Sequence, residues 1–549
     1  MGKIFLLVPL TLVMILAVGH LATGGGYEGQ LVVTAHEQEG YTEIEVRTGL
    51  VDYLFTTAGG ELRSIFLHFA PYGLRQMELV PDTTTDPKTL ARRYAEGASF
   101  PFALELPGIE APAPYSYRIL EQSPRQVKLE LALSLEAPQL QIKKIFTIRD
   151  EPYYTVDMEL ILGNPGAAPL ALPEGFILVL GPNIFQLGPE KFVEGEVRYL
   201  FDGRRTEAIP SSYERFEGLG AVSGQAVVFL KLKDSAGELH PAVELDERGR
   251  LILGVKSEAI ELASGQERAY TFLLYAGRPK YTLLEHSGLG GLVDLGFFSR
   301  ALIAVVRFLD WLYDLTGNYG WALILFTITV RIILFPLMRK QYYSIAKMQR
   351  LAPKIQQLQE RYRKEREILQ RKLMELYQKE GVNPLSGCLP LLIQFPILYI
   401  LWRAILYSSE RIHLSPGFLW MPDLSVADPY YIIVVLNVVV MILQTRLSTP
   451  ATGGGQRPNW ALVYGMPLFM GFLLRNFPAG MWLYWLLTTL FQIGQQWLIN
   501  LELRRLEPQP QPGSEPKADT ETKTKTEASS QSQSPEQGND DERARAKDN

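Results

Sequence analysis

Six runs of mostly apolar residues, none holding an Asp or a Glu, break up a chain that is otherwise polar: 4–22, 318–337, 384–407, 429–447, 460–474 and 478–498. A helix of about 20 such residues crosses the hydrocarbon of a bilayer, where every backbone polar group must be satisfied within the segment. The first run, behind Lys3, would reach roughly 28 Å at about 1.5 Å per residue. It reads as a retained signal anchor; the alternative is a signal peptide cleaved near Ala17-Val18-Gly19. With 549 residues the chain is too long for one ordinary core, so several domains are expected. A net charge of −5 argues against nucleic-acid binding driven by overall charge, and the lone Cys388 can form neither an internal disulfide nor a cysteine zinc site.

Between the first two runs the pattern changes to period two. Segments such as 126–133 (QVKLELAL), 141–148 (QIKKIFTI) and 153–162 (YYTVDMELIL) alternate polar and apolar residues, with Gly, Pro, Asn and Asp between them. This predicts a large antiparallel β-sandwich over 26–285, exported because Lys3 stays inside. Residues 297–315 are amphipathic. Arg300, Arg307, Asp310 and Asp314 cluster on one arc, opposite Leu302, Val305, Val306, Leu309 and Leu312. They form either a helix lying in the membrane interface (286–316) or a further span, and charge decides between them. Residues 338–384 carry twelve Lys/Arg against five Glu, and Arg446, Arg457 and Arg504-Arg505 mark later basic ends. All fall on the same side as Lys3 only with six spans and both termini inside, which makes 297–315 interfacial.

The basic loop is patterned as a helical hairpin. Leu351, Ile355, Leu358 and Tyr362 recur at helical spacing, then Leu369, Leu373 and Leu376, joined by the charged stretch 363–367. Pro353 fits such a helix in its first turn or at a kink. The charge of this loop is either a solvated face or a surface for anionic lipid or ribosomal RNA. The segment 506–549, nearly free of apolar residues and net acidic, reads as a disordered tail.

No HExxH, GxSxG or phosphate-loop motif occurs, and the histidines at 20, 36, 68, 240, 286 and 413 have no metal-ligand spacing, so neither an enzyme nor a cofactor is expected. The informative residue is Arg331, about two-thirds through the second run. Burying it in lipid costs from about 3 to more than 10 kcal/mol, unless water reaches it. No run supplies an Asp or a Glu, so the charge must meet water, backbone carbonyls, polar side chains or a carboxylate of another molecule. Thr327 lies one turn away, and Gln394, Asn437, Thr488, Thr489, Gln492 and Gln495 are further candidates to line a hydrated cavity. The competing reading is that Arg331 snorkels to the surface and that the glutamines glue helices together. An ion-coupled transporter is disfavoured, because the runs lack the acidic relays and internal repeat of such machines.

The stretches GNYGWALILFTITVRIILFPLMRKQYYSIAKMQRLAPKIQQLQERY, VNPLSGCLPLLIQFPILYILWRAI and FPAGMWLYWLLTTLFQIGQQWLI, within about 289–505, resemble the YidC membrane protein insertases. The resemblance implies a five-helix core (317–505) with a cytoplasmic hairpin at 338–384, a first-span anchor (1–25) and a periplasmic domain similar to sugar-mutarotase folds. It implies insertion and folding of nascent membrane proteins into the inner membrane, alone or with the Sec translocon. A hydrophilic groove would hold Arg331 and Thr327. Tyr484 and Trp485 would lie near substrate in the last span, and Phe395, Pro396 and Leu398 would contact the passing segment. The hairpin would contact the ribosome; the acidic tail departs from the basic tails of some members.

Overall fold

The computed structural model describes residues 31–505, apart from 72–75, 81–100, 110–113, 183–185, 188–190, 193–195, 234–237, 246–250, 294–296, 382–388 and 449–459. The first apolar run and the acidic tail lie outside the described residues.

The segments of period two become antiparallel strands. One nine-stranded sheet runs in the order Arg204–Thr206, Glu196–Phe201, Phe216–Val222, Val227–Leu232, Glu267–Gly277, Thr155–Gly163, Leu140–Arg149, Gln126–Leu135 and Ser116–Ser123. A five-stranded sheet is a meander from Val32–Gln38 through Tyr41–Arg47, Val51–Thr56 and Glu61–Leu67 to Met77–Glu78. Burial follows the alternation. Leu140, Ile142, Phe146 and Ile148 are buried and the residues between them are not, apart from one intruder, Lys144. Ile44, Val46 and Phe55 of the five-stranded sheet share a single core with Leu129, Phe146 and Val156 of the nine-stranded sheet. The rings of Phe55 and Phe146 meet at 4.8 Å between centroids. Two sheets packed through one core match the expected sandwich.

Lys144 is tolerated at an inward position because its ammonium is satisfied. Nζ donates to the carbonyls of Gly59, Gly60 and Phe102 at 2.9, 2.9 and 2.8 Å. Gly59 and Gly60, at φ 70° and 60°, make the tight turn that aims two of those carbonyls inward, a conformation that suits glycine. Burial pushes the Lys144 amine down to about 7, against the opposing pull of Glu61.

The helical part begins with α1 (Tyr281–His286), α2 (Phe297–Thr316) and α3 (Tyr319–Arg361), and continues with α4 (Arg366–Glu380), α5 (Leu389–Tyr407) and α6 (Ser409–His413). It ends with α7 (Ile432–Ser448), α8 (Met466–Leu473) and α9 (Ala479–Arg505). Asn318 starts α3: its Oδ1 accepts from the Gly320 N–H at 2.8 Å, and its Nδ2 donates to the Pro416 and Gly417 carbonyls at 3.3 and 2.9 Å. Among the described residues, one helix segment, Tyr319–Arg339, is long and apolar enough to cross a membrane by length and composition; Ile432–Leu447 and Val463–Leu473 are apolar but shorter. Ile332, Ile333, Val435, Val439, Phe469, Phe472 and Leu490, large apolar side chains on four of the helices, are all exposed.

Pro353, expected in the first turn of a helix or at a kink, lies in the interior of the 43-residue α3, which also holds Pro336, and not in its first turn. The apolar run and the first hairpin arm are thus one helix, paired with α4 through Lys354 and Glu380 at 2.8 Å. The apolar face of α2, Leu302, Val306, Leu309 and Leu312, is buried in one cluster with Leu323, Phe326 and Leu401 of α3 and α5. A moment defines an apolar face but not what covers it. Among the described large apolar side chains of α2, Trp311 and Leu315 are exposed.

A buried charge cluster joins the β domain to the helices. Lys280 Nζ donates to Glu410 Oε1 and Oε2 at 2.8 and 2.6 Å, to Ser409 Oγ at 2.9 Å and to the Leu406 carbonyl at 2.6 Å. Tyr154 Oη donates to Glu410 Oε1 at 3.1 Å. Burial lowers the Lys280 pKa, and Glu410 opposes it.

Candidate functional site

Thr327 and Arg331 are four residues apart on α3 and so share a face. Both are buried, Arg331 at 4% exposure. Arg331 Nη2 donates to Gln394 Oε1 of α5 at 3.2 Å, and Gln394 Nε2 donates to Tyr484 Oη of α9 at 3.1 Å. One amide therefore links three helices. Its oxygen faces the cation and its nitrogen faces a phenol. Because Gln394 is neutral, this bond orients the guanidinium without discharging it. Such inward placement differs from the snorkelling alternative.

Other expected polar groups extend the feature along α7 and α9. Asn437 Nδ2 donates to the carbonyls of Ile433 and Trp482 at 2.9 Å each, while its Oδ1 is buried with no hydrogen-bond partner among the described residues. Gln492 Oε1 accepts from Gln444 Nε2 at 2.6 Å. Thr327 and Thr489 return their hydroxyl protons to carbonyls one turn back, Leu323 at 2.7 Å and Trp485 at 2.9 Å, which lowers their polarity within an apolar bundle. The structure thus brings Arg331, Gln394 and Tyr484 into one connected chain. Gln492 belongs to a separate pair.

The expected contact residues are placed unevenly. Phe395 is 67% exposed, and Pro396 is exposed beside it. Leu398 is half-buried and packs on the helical core. Trp485 is half-buried and stacks on Trp482 at 5.5 Å. Ile332 and Ile333, next to Arg331 in sequence, face outward. A polar interior and an apolar exterior therefore adjoin within one residue on α3. That arrangement can hold a polar segment on one side and a greasy one on the other. Sequence reasoning missed Gln444, whose signal was a single amide in the apolar run 429–447, and Glu410, which lies just beyond the end of an apolar run.

Residues 311–505 match a family model described as the 60Kd inner membrane protein. The membrane protein insertase YidC of Syntrophus aciditrophicus is 30% identical over 482 residues, which cover 83% of this chain and 85% of that protein. The membrane protein insertase YidC of Geobacter metallireducens is 29% identical over 481 residues, with the same two coverages of 83% and 85%. Among solved structures, an active YidC insertase with its first transmembrane domain resolved is similar in fold, with TM-score 0.52, 23% identity, and coverage of 89% of this chain and 97% of that one.

Proposed function

The chain belongs to the YidC family of membrane protein insertases, and from that premise we propose that it inserts and folds integral membrane proteins through a hydrophilic groove centred on Arg331. The observation that carries this reading is the hydrogen-bonded chain Arg331–Gln394–Tyr484, its two ends buried and its middle half-buried, among helices whose outer surfaces are apolar. Moving a carboxylate through lipid costs several kcal/mol. A charged, hydrogen-bonding interior shortens the dry path and offers a temporary counter-ion to a short acidic leader. The apolar helix of the same substrate then leaves past Phe395, Pro396 and Leu398, with Trp485 behind it. Burial of that helix in lipid, together with the membrane potential acting on leader charges, drives the step. No covalent bond forms.

In this reading the protein spans the inner membrane six times, with both termini in the cytoplasm and 26–285 in the periplasm. The hairpin at 338–384 faces the cytoplasm, where its Lys/Arg excess suits a ribosome or anionic lipids. The protein works on nascent chains alone or beside the Sec translocon. The test is reconstitution of the full chain into liposomes without Sec components, followed by protease protection of a small two-span substrate. Arg331→Ala is expected to cut insertion of acidic-leader substrates most. Equal loss for neutral and acidic leaders, or none, overturns the groove role.

A further inference from the structure

Outside the groove, one cleft has the chemistry of a ligand site. It has a volume of about 240 Å³ and opens between Tyr153 of the β domain, α1, α2 and the start of the loop after α5. Its polar lining is Glu285, His286, Arg307, Asp310, Ser408 and Arg411. We propose that it binds the zwitterionic headgroup of an aminophospholipid, phosphate toward Arg307 and Arg411 and ammonium toward Glu285 and Asp310.

Three observations carry this. The first is an unmet donor: Ser408 is 4% exposed, lines the cleft, and its Oγ has no hydrogen-bond partner among the described residues. The Oγ is closed off from solvent as the cleft stands, so a ligand reaches it by turning the side chain, a move that relieves the cost of a buried hydroxyl without a partner. The second is charge balance. Arg307 Nη2 bonds both Glu285 oxygens at 2.7 and 2.9 Å, and Arg411 pairs with Asp310 at 3.0 Å. A simple anion would meet both carboxylates, whereas a ligand carrying both signs complements two cations and two anions. The Arg307–Glu285 pair is solvent-exposed, so its own bond is worth little and is readily exchanged for a charge-assisted bond to phosphate. The third is place. Beside the cleft, α2 turns Trp311 and Leu315 outward, and Tyr407 closes the end of α5, residues suited to a membrane–water boundary. His286 stacked on Tyr153 at 3.5 Å forms a flat wall on the other side.

The inference rests on the topology proposed above, which puts α2 at the outer membrane surface, and not on insertase activity. Native mass spectrometry of the full-length protein in detergent, titrated with dioctanoyl phosphatidylethanolamine, tests it without any substrate. One saturable site is expected, weakened about tenfold in Arg307→Ala and several-fold in Ser408→Ala, with unchanged melting midpoints. Dioctanoyl phosphatidylglycerol, which keeps the phosphate and lacks the amine, should bind at least several-fold more weakly. Equal binding of the two lipids, or binding indifferent to both substitutions, overturns the proposal. If free phosphoethanolamine binds as tightly as the lipid, the membrane source is wrong and the ligand is a soluble phospho-amine. Loss of insertion in Arg331→Ala alongside intact lipid binding, or the reverse, separates this proposal from the groove.

Discussion

Gln394 supplies one of the bonds that orient the Arg331 charge. Replacing it with Leu keeps volume but strips the guanidinium and the Tyr484 hydroxyl of one partner each. Gln394→Leu should destabilise the protein by about 1–3 kcal/mol and lower insertion, read by thermal unfolding and by protease protection. A neutral stability effect would count against the link. At the same scale, both ring nitrogens of His68 face acceptors, Asp52 Oδ1 at 3.1 Å and the Gly49 carbonyl at 2.9 Å. The bond to Asp52 raises the His68 pKa above 6.5, with burial opposing it. The folded state then holds the proton more tightly than the unfolded one. Its stabilisation is complete below the ordinary value and fades as pH rises through the raised one. His68→Gln should therefore lower the melting midpoint more at about pH 5.5 than at about pH 8.5; an equal loss at both would remove the charge from the argument. Much of the linked polar cluster was legible because a polar letter in an apolar run has few meanings. Arg331, Thr327 and Gln394 stand out that way. Lys144 was less so: alternation puts it on the inward face with Ile142 and Phe146, but only the carbonyls of Gly59, Gly60 and Phe102 explain how a lysine is satisfied there.

Periodicity located the elements better than it located their neighbours. Alternation located segments 126–133 and 141–148 within the strands Gln126–Leu135 and Leu140–Arg149, and the helical stripe of α2 was correct in phase. What the stripe could not say was that Leu309 packs on protein rather than lipid, because both surfaces are equally apolar. The two environments respond differently to substitution. Leu309→Asp buries a charge within the helical cluster and should unfold that part or cost several kcal/mol, whereas Trp311→Ala, on the exposed side, should leave the melting midpoint within about 1 °C of the parent. Comparable losses at both positions would place α2 wholly in lipid. A first turn or a kink was the expectation for Pro353 because a proline in a helix interior removes a hydrogen bond. The helix continues through it, so Pro353→Ala should slow amide exchange around residue 349, the carbonyl acceptor that proline leaves unused; unchanged exchange would mean that segment is not helical in solution.

At the scale of the whole molecule, the contact between β domain and helices depends on partners 130 positions apart, Lys280 and Glu410, and no local pattern could pair them. Both are buried, so removing one leaves the other's charge without its partner. Lys280→Met should cost about 3–5 kcal/mol, and the double change Lys280→Met with Glu410→Leu should cost less than the single one, both read from thermal unfolding. Additive losses would show that the pair does not couple the two parts. The same cluster has a mechanical consequence. Lys280 holds the Leu406 carbonyl near the end of α5, Asn318 ties the start of α3 to the Pro416–Gly417 strand of chain, and Arg411 reaches Asp310 of α2. These three attachments all sit at the end of the bundle nearest the β domain. Helices fixed at one end move like the ribs of a fan: displacement is small at the pivot and grows with distance from it. Whatever widens between α3 and α5 therefore widens most at their far ends and least beneath the β domain, so a passage made this way opens toward one side of its membrane without first opening toward the other.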